Sequence, residues 1–282
     1  MDDGIRDRRR GFAALAALPD GAIDLAQASL LIAREEYPDL EVGAYLGRLD
    51  DMAGNIRARL RGGEGCATLL AHINHLLFDE LGFRGNQEEY YDPRNSFLND
   101  VLDRRVGIPI TLSAIYLEIG RRIGCPLVGV SFPGHFLVRY TGADAPDPVL
   151  VDPFNRGRIL TEPECRALLQ DKYRGAVAYR PEMLKRARTR EIIERLLYNL
   201  KAIFHGERDF HRALWIQHLL LCLRPDDPRE IRDRAVVHYH LACFEQAADD
   251  LEAYARLAPA APDLEEVRGR LAQIRRLAPR WN

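Results

Sequence analysis

Two residues in the middle of the chain have side chains suited to acid–base chemistry. His135 follows a Pro133-Gly134 turn, and Asp152 ends an apolar run that starts at Val149. An imidazole held against a carboxylate can take a proton from a nucleophile and return it to a leaving group. The sequence therefore predicts a catalytic His–Asp pair, provided that the two segments lie side by side.

The neighbouring segments supply elements that would position this pair. Apolar residues recur at helical spacing before Gly124, which is placed to end a helix; they are Leu112, Ile115, Tyr116, Ile119 and Ile123. Strands are predicted over residues 127–131, 135–140 and 149–152. A buried helix followed by a small antiparallel sheet suggests a papain-like core, whose nucleophile lies at the positive N-terminal end of the helix.

Five motifs carry a family resemblance. They are G-F-R-G-N (82–86), Y-Y-D-P-R-N-S (90–96), V-L-D-R-R-V-G-I-P-I-T-L-S (101–113), F-P-G-H-F-L-V-R (132–139) and V-D-P-F (151–154). With helices upstream and repeats downstream, nearly the whole chain resembles the transglutaminase-like superfamily, and more closely its bacterial SirB family. The resemblance implies a degenerate transglutaminase-like domain followed by tetratricopeptide-type repeats.

One departure from the family pattern bears on activity. The resemblance implies that an active enzyme would carry its Cys about one helix length before Gly124, which corresponds to Pro109. No Cys lies between Cys66 and Cys125. We therefore expect His135 and Asp152 to form a residual dyad without a cysteine nucleophile.

Two hydroxyls close to Pro109 leave an alternative open. Thr111 or Ser113 could replace the cysteine as nucleophile, or His135 could activate a water. The same residues have a purely structural explanation, since such a Thr often caps a helix and such a Ser is often interior.

A segment rich in Gly, Asn and aromatic residues, 82–96, precedes this helix. Its glycines allow left-handed turns, so it could cover a cleft; it could equally be an Ω-loop held by its own side chains. Candidate ligand contacts lie in it or shortly after it: Tyr90, Tyr91, Asn95, Asn99, Thr111 and Ser113.

Three helices are predicted upstream, over about residues 24–37, 42–60 and 67–81. On the third, His72, His75 and Asp79 share one side at a spacing that could hold zinc. They also fit a solvated polar face, and no fourth ligand is evident. We therefore expect no metal site and no cofactor.

The C-terminal part contains an internal repeat. Four residues recur 34 positions later, which is the tetratricopeptide period: Phe210, Ala213, Leu223 and Pro225 return as Phe244, Ala247, Leu257 and Pro259. A last helix over about 264–277 is predicted to cap the stack. Arg234 and His238 depart from the repeat, because they occupy positions that are usually apolar or aromatic.

Composition bounds the partners and the compartment. With 40 basic and 42 acidic side chains the net charge is −2, so no global field attracts nucleic acid or an anionic membrane. A local net charge of +5 between Lys172 and Arg195 could serve a phosphate contact but is assigned to a solvated linker.

Five Cys without paired spacing favour a reducing compartment. An arginine run before a short apolar stretch faintly resembles a signal peptide, but Pro19 cuts it short. We expect a cytoplasmic protein.

The predicted fold is α+β: mainly helical, with a small antiparallel sheet, then a short helical solenoid. The predicted domains are 1–180, transglutaminase-like with N-terminal helices, and 181–282, the repeats and capping helix. Three functions remain open. The favoured one is a non-catalytic domain that binds a peptide or small ligand while the repeats bind a protein partner. The others are a hydrolase or acyl transferase, and a purely structural adaptor.

Overall fold

The computed structural model describes residues 3–145 and 147–277, with side chains from residue 9 onward. Its helices are α1 (Asp3–Ala16), α2 (Leu25–Glu36), α3 (Val42–Arg57), α4 (Cys66–Asn74), α5 (Leu98–Arg104), α6 (Pro109–Ile123), α7 (Glu162–Tyr173), α8 (Thr189–Gly206), α9 (Phe210–Leu223), α10 (Pro228–His240), α11 (Phe244–Leu257) and α12 (Leu264–Leu277). Its strands are β1 (Arg84–Gly85), β2 (Val106–Gly107), β3 (Leu127–Val130), β4 (Leu137–Tyr140), β5 (Val149–Asp152) and β6 (Arg158–Leu160). The chain is mainly helical with a small sheet, as predicted.

These elements form two compact units. One contains residues 18–196, and the other joins the described residues before 18 to those after 196. The units differ from the predicted domain ranges, which stay a prediction, because α1 packs against α9. The segment that resembles a signal peptide is this helix α1, and its Phe12 is fully buried. No helix in the described part of the chain is long and apolar enough to span a membrane.

Helix α6 is the centre of the unit 18–196. Eleven of its fifteen residues are buried, so its surroundings are protein on nearly every side. It ends at Gly124 in a left-handed conformation, with φ of 77°, as its sequence predicted. Gly120 lets the chain pass closely, since a Cβ there would lie 2.4 Å from the Leu127 side chain.

The main sheet has the antiparallel order β3-β4-β5-β6. Successive side chains along its strands pack into two different apolar layers. Val138 and Val151 face the core that contains α6, whereas Leu137 and Leu150 pack with Leu169 of α7. Strand β4 begins at Leu137 rather than at residue 135, so His135 lies in the turn before the strand and not within it.

The upstream helices follow the predictions with one exception. Asp24 caps α2 by accepting a hydrogen bond from the Gln27 N–H at 2.8 Å. The predicted helix 67–81 is α-helical only to Asn74, and its last turn, His75–Glu80, is a π-helix. The apolar spacing of this segment suits both hydrogen-bond patterns, so the sequence could not distinguish them.

The other unit contains the predicted repeats. The two 34-residue matches fall on α9 and α11, and α12 follows as the predicted last helix. The departures at Arg234 and His238 have a common partner on α11. Arg234 forms two hydrogen bonds with the buried carboxylate of Asp250, at 2.9 and 2.6 Å, and His238 lies 3.8 Å from it. Polar residues are accommodated there because the carboxylate is paired.

Candidate ligand-binding site

The structure brings the two predicted dyad residues together. Nε2 of His135 lies 2.9 Å from Oδ2 of Asp152. The ring is poorly aligned for a hydrogen bond along this contact, since Nε2 has no hydrogen-bond partner among the described residues. The His135 side chain is 15% exposed and that of Asp152 only 1%. The imidazole therefore has one buried nitrogen against a carboxylate, while its other nitrogen, Nδ1, remains accessible.

Asp152 is held in place by the chain that follows it. Its carboxylate accepts hydrogen bonds from the N–H groups of Phe154 and Asn155, at 3.1 and 3.3 Å, and from the Asn155 side chain at 2.7 Å. Burial raises the pKa of Asp152. His135 and the hydrogen bonds from Asn155 lower it by more, so the pKa of Asp152 lies below its usual value. Asp152 is thus a fixed negative charge beneath the imidazole.

A tight turn positions His135. Pro133 and Gly134 occupy its centre, Gly134 has φ of 67°, and the His135 N–H donates to the Phe132 carbonyl at 3.0 Å. This order of Pro and left-handed Gly fits a type II turn. The turn lines a surface cavity of about 320 Å³ whose other wall includes Leu168 and Lys172 of α7. His135 is therefore reachable from solvent.

The hydroxyls at the start of α6 are engaged with backbone groups. Pro109 is its first residue and is buried. The Thr111 hydroxyl donates to the Asn95 carbonyl at 2.8 Å and accepts from the Ile108 N–H at 3.1 Å. The buried Ser113 hydroxyl donates to the Phe136 carbonyl at 3.4 Å. Both hydroxyls therefore have structural partners within the chain, and their roles as nucleophiles or ligand contacts stay predictions.

The segment 82–96 is held largely by its own side chains. The buried Asn95 amide donates to the carbonyls of Glu89 and Tyr90, at 2.7 and 3.3 Å, and its oxygen accepts from Asn86 at 3.1 Å. Strand β1 also pairs with β2 in parallel. These bonds favour the Ω-loop alternative, although one face of the loop still lies beside the site.

The remaining candidate ligand contacts differ in accessibility. Tyr91 is 75% exposed. Tyr90 is half-buried, and its ring meets Phe154 edge-on with centroids 6.4 Å apart. His135 meets the same ring at 5.9 Å, so Tyr90 and His135 share a neighbour. Asn99 is buried with its side-chain oxygen unpaired among the described residues, and its role as a ligand contact stays a prediction.

Arg195, on α8, is a residue of this site that the sequence analysis did not identify. Its Nη1 donates to the Ser131 hydroxyl at 2.8 Å and to the Phe132 carbonyl at 3.1 Å. Its guanidinium also lies over the Phe136 ring, 5.5 Å from the centroid. No clear signal in the sequence marks it, because the residues one turn away on α8 are polar as well as apolar; they are Glu191, Ile192, Tyr198 and Asn199.

The possible zinc ligands do not form a metal site. The imidazole of His75 lies between the carboxylates of Asp79, at 3.3 Å, and Glu80, at 3.0 Å. Within the described ranges, no three His, Cys, Asp or Glu side chains are grouped to hold a metal ion.

Comparison with known families matches both parts of the chain. Residues 43–198 match the model of the transglutaminase-like superfamily, and residues 200–272 match a tetratricopeptide repeat model. The first match contains the dyad and Arg195, and the second contains α9 to α11.

Individual relatives agree with these matches. A UPF0162 protein of Xylella fastidiosa is 38% identical over 263 residues, covering 92% of this chain and 93% of its own length. Protein SirB1 of Salmonella typhimurium is 33% identical over 260 residues, with the same coverage. Human F-box only protein 21 is 30% identical over 187 residues, which are 63% of this chain but 29% of the human protein. No solved structure matches the chain significantly.

Proposed function

Because this chain belongs to the transglutaminase-like superfamily, we propose that it is a protein-binding member of that superfamily and not one of its enzymes. The start of α6 is the observation that carries the proposal. The superfamily's nucleophile would lie there, at the positive end of a helix that favours a thiolate. This chain has Pro109 at that position, and the nearby hydroxyls of Thr111 and Ser113 are engaged with backbone groups.

The retained dyad fits a binding role. An imidazole over a buried carboxylate offers a donor or an acceptor to a ligand without any covalent step. The site keeps this pair next to a solvent-accessible cavity. A peptide or small polar ligand is the class of molecule that such a shallow, polar site suits.

The repeats supply a second surface. A cavity of about 560 Å³ lies between α10 and α12. Three of its lining residues are large, apolar and exposed, namely Val236, Tyr239 and Leu277. Exposed apolar groups in a concave surface of a helical repeat are typical of a protein-binding groove. We assign this groove to a protein partner.

Affinity capture with matched variants tests the assignment. Tyr239→Ala removes an exposed ring from the groove. Leu257→Ala is the control, since Leu257 is 43% exposed in the same unit and does not line the cavity. A protein retained by the wild type and the control but lost by Tyr239→Ala fits the proposal. Identical captured sets from all three proteins would refute it.

A hydrolase that activates water is the second candidate, and the accessible Nδ1 of His135 is the observation that favours it. A panel of amide and ester substrates distinguishes the two functions. Turnover that His135→Ala abolishes, while folding is retained, would replace the binding proposal. If His135→Ala instead lowers stability and changes neither turnover nor binding, the dyad is structural.

A further inference from the structure

Arg195 is fixed to the turn that carries His135. The Phe132 carbonyl accepts hydrogen bonds from Nη1 of Arg195, at 3.1 Å, and from the N–H of His135, at 3.0 Å. The guanidinium of Arg195 and the backbone N–H of His135 therefore share one carbonyl acceptor. The Phe136 ring beneath the guanidinium limits its movement further.

The charge of Arg195 has no counterion among the residues that the structure describes. Its side chain is half-buried, yet no carboxylate among the described residues pairs with it, and Nε and Nη2 donate to none of them. Buried cations in proteins are usually paired, because desolvation without a partner is costly. Burial accordingly lowers the pKa of Arg195, partly offset by the hydroxyls of Tyr90 and Tyr173.

The surroundings contain further unused donors. The hydroxyls of Tyr90 and Tyr173 form no hydrogen bond with the described residues, and both lie close enough to Arg195 to influence its pKa. Burial raises the pKa of Tyr90, and Arg195 lowers it. Tyr90 also reaches the site through Phe154, whose ring contacts His135. A cation and a neutral O–H donor thus lie near the dyad, Arg195 through the Phe132 carbonyl and Tyr90 through the Phe154 ring.

We propose that Arg195, together with Tyr90, binds a carboxylate of a peptide ligand beside His135. Nε and Nη2 lie on one edge of the guanidinium, and this edge matches the two oxygens of a carboxylate. One guanidinium edge suits one carboxylate group. The carboxylate comes from an acidic side chain or from a peptide C-terminus. The inference rests on the proposed binding function and adds the class of ligand.

Small probes separate the two sources of carboxylate. N-acetyl-alanine carries a terminal carboxylate, and N-acetyl-alanine amide is its neutral counterpart. N-acetyl-glutamate amide carries a side-chain carboxylate, and N-acetyl-glutamine amide is the neutral counterpart. Saturation-transfer NMR on the full chain gives the four affinities, and the Nε–H signal of Arg195 reports whether the probe reaches it.

Variants identify the groups that bind. Arg195→Lys keeps the charge and much of the stem but loses the planar edge, and we expect at least about tenfold weaker binding of the carboxylate probe. Tyr90→Phe removes only a hydroxyl, so it tests the site without disturbing the turn. Arg188→Gln is the matched control, because Arg188 is exposed and paired with Glu191 at 2.8 Å. It should leave every affinity unchanged.

The outcomes test the carboxylate site and the proposed binding function separately. Tighter binding of one carboxylate probe than of its neutral counterpart, lost in Arg195→Lys and weakened in Tyr90→Phe, supports the inference and names the source. Equal binding of charged and neutral probes, with the Arg195 signal unmoved, overturns the inference but leaves a peptide-binding cleft. Binding of no probe overturns the carboxylate site, and protein capture through the repeats then decides the proposed function separately.

Discussion

Replacing Thr111 by valine should destabilise α6 because the hydroxyl has two buried partners. Valine has nearly the same shape but leaves the Ile108 N–H without an acceptor and the Asn95 carbonyl without a donor. Each unsatisfied buried group costs about 1.5–2 kcal/mol here, within the usual range of about 1–3 kcal/mol, so the two together cost about 3–4 kcal/mol. The added apolar contact of valine offsets about 1 kcal/mol. We therefore expect Thr111→Val to lower the local free energy of unfolding by about 2–3 kcal/mol.

Hydrogen exchange of peptides from α6, read by mass spectrometry, is the suitable assay. Tryptophan fluorescence would not report the unit 18–196, because the sequence has no tryptophan in that range. A loss of 2–3 kcal/mol should accelerate exchange about 30- to 150-fold, at about 1.4 kcal/mol per factor of ten. Thr111→Ser keeps the hydroxyl and should accelerate exchange only about fivefold through the lost methyl group.

An exposed threonine provides the outside control. Thr141 also donates to a backbone carbonyl, that of Pro126 at 3.1 Å, but it is exposed, so Thr141→Val should change exchange in α6 little. If Thr111→Val exchanges no faster than Thr111→Ser, the hydroxyl is not a structural cap. The Thr111 hydroxyl would then be available as a nucleophile.

Three further predictions concern the dyad and its turn. Pro109→Cys should create a thiol at the N-terminus of α6, where the helix lowers its pKa below about 8.5. Mass spectrometry should therefore find this thiol alkylated at about pH 6 before the native cysteines. An equal rate of alkylation would mean that the family register is misplaced. The pKa of Asp152 is lower in the folded chain than in the unfolded chain, so ionised Asp152 stabilises the fold above its unfolded pKa. This stabilisation is lost as the pH falls through the pKa of the folded state. Asp152→Asn should therefore flatten the acid end of a stability–pH curve, and an unchanged curve would contradict this. Gly134→Ala should lower the free energy of unfolding by about 1–2 kcal/mol because of the left-handed φ. The new Cβ would also clash with the Lys172 side chain, 2.5 Å away. Thermal denaturation measures the loss of stability, and adding Lys172→Ala should relieve only the clash.

The sequence predicted elements better than it predicted contacts. The end of α6 at Gly124 and the repeats of α9 and α11 follow from local signals, namely a left-handed glycine and a fixed period. The pairing of His135 with Asp152 was predicted only on the condition that their two segments lie side by side, because no local pattern states which strands are neighbours. Its fine geometry differed, since His135 lies in a turn before β4.

Arg195 shows why part of the site was missed. The segment from Lys172 to Arg195 has a net charge of +5, and a charge sum of this kind predicts a solvated linker. The sum treats a half-buried arginine against Phe136 in the same way as an exposed one. Burial depends on tertiary packing, which the composition of a window does not contain.

The packing of α1 against α9 has a consequence for synthesis. Helix α1 leaves the ribosome before its partner α9, which is made about 200 residues later. At about 5–20 residues per second, this interval lasts on the order of 10–40 s. The unit 18–196 can fold during that time, whereas α1 carries Phe12, buried in the finished protein, uncovered until α9 emerges. Until α9 is made, the apolar face of α1 is therefore open to aggregation.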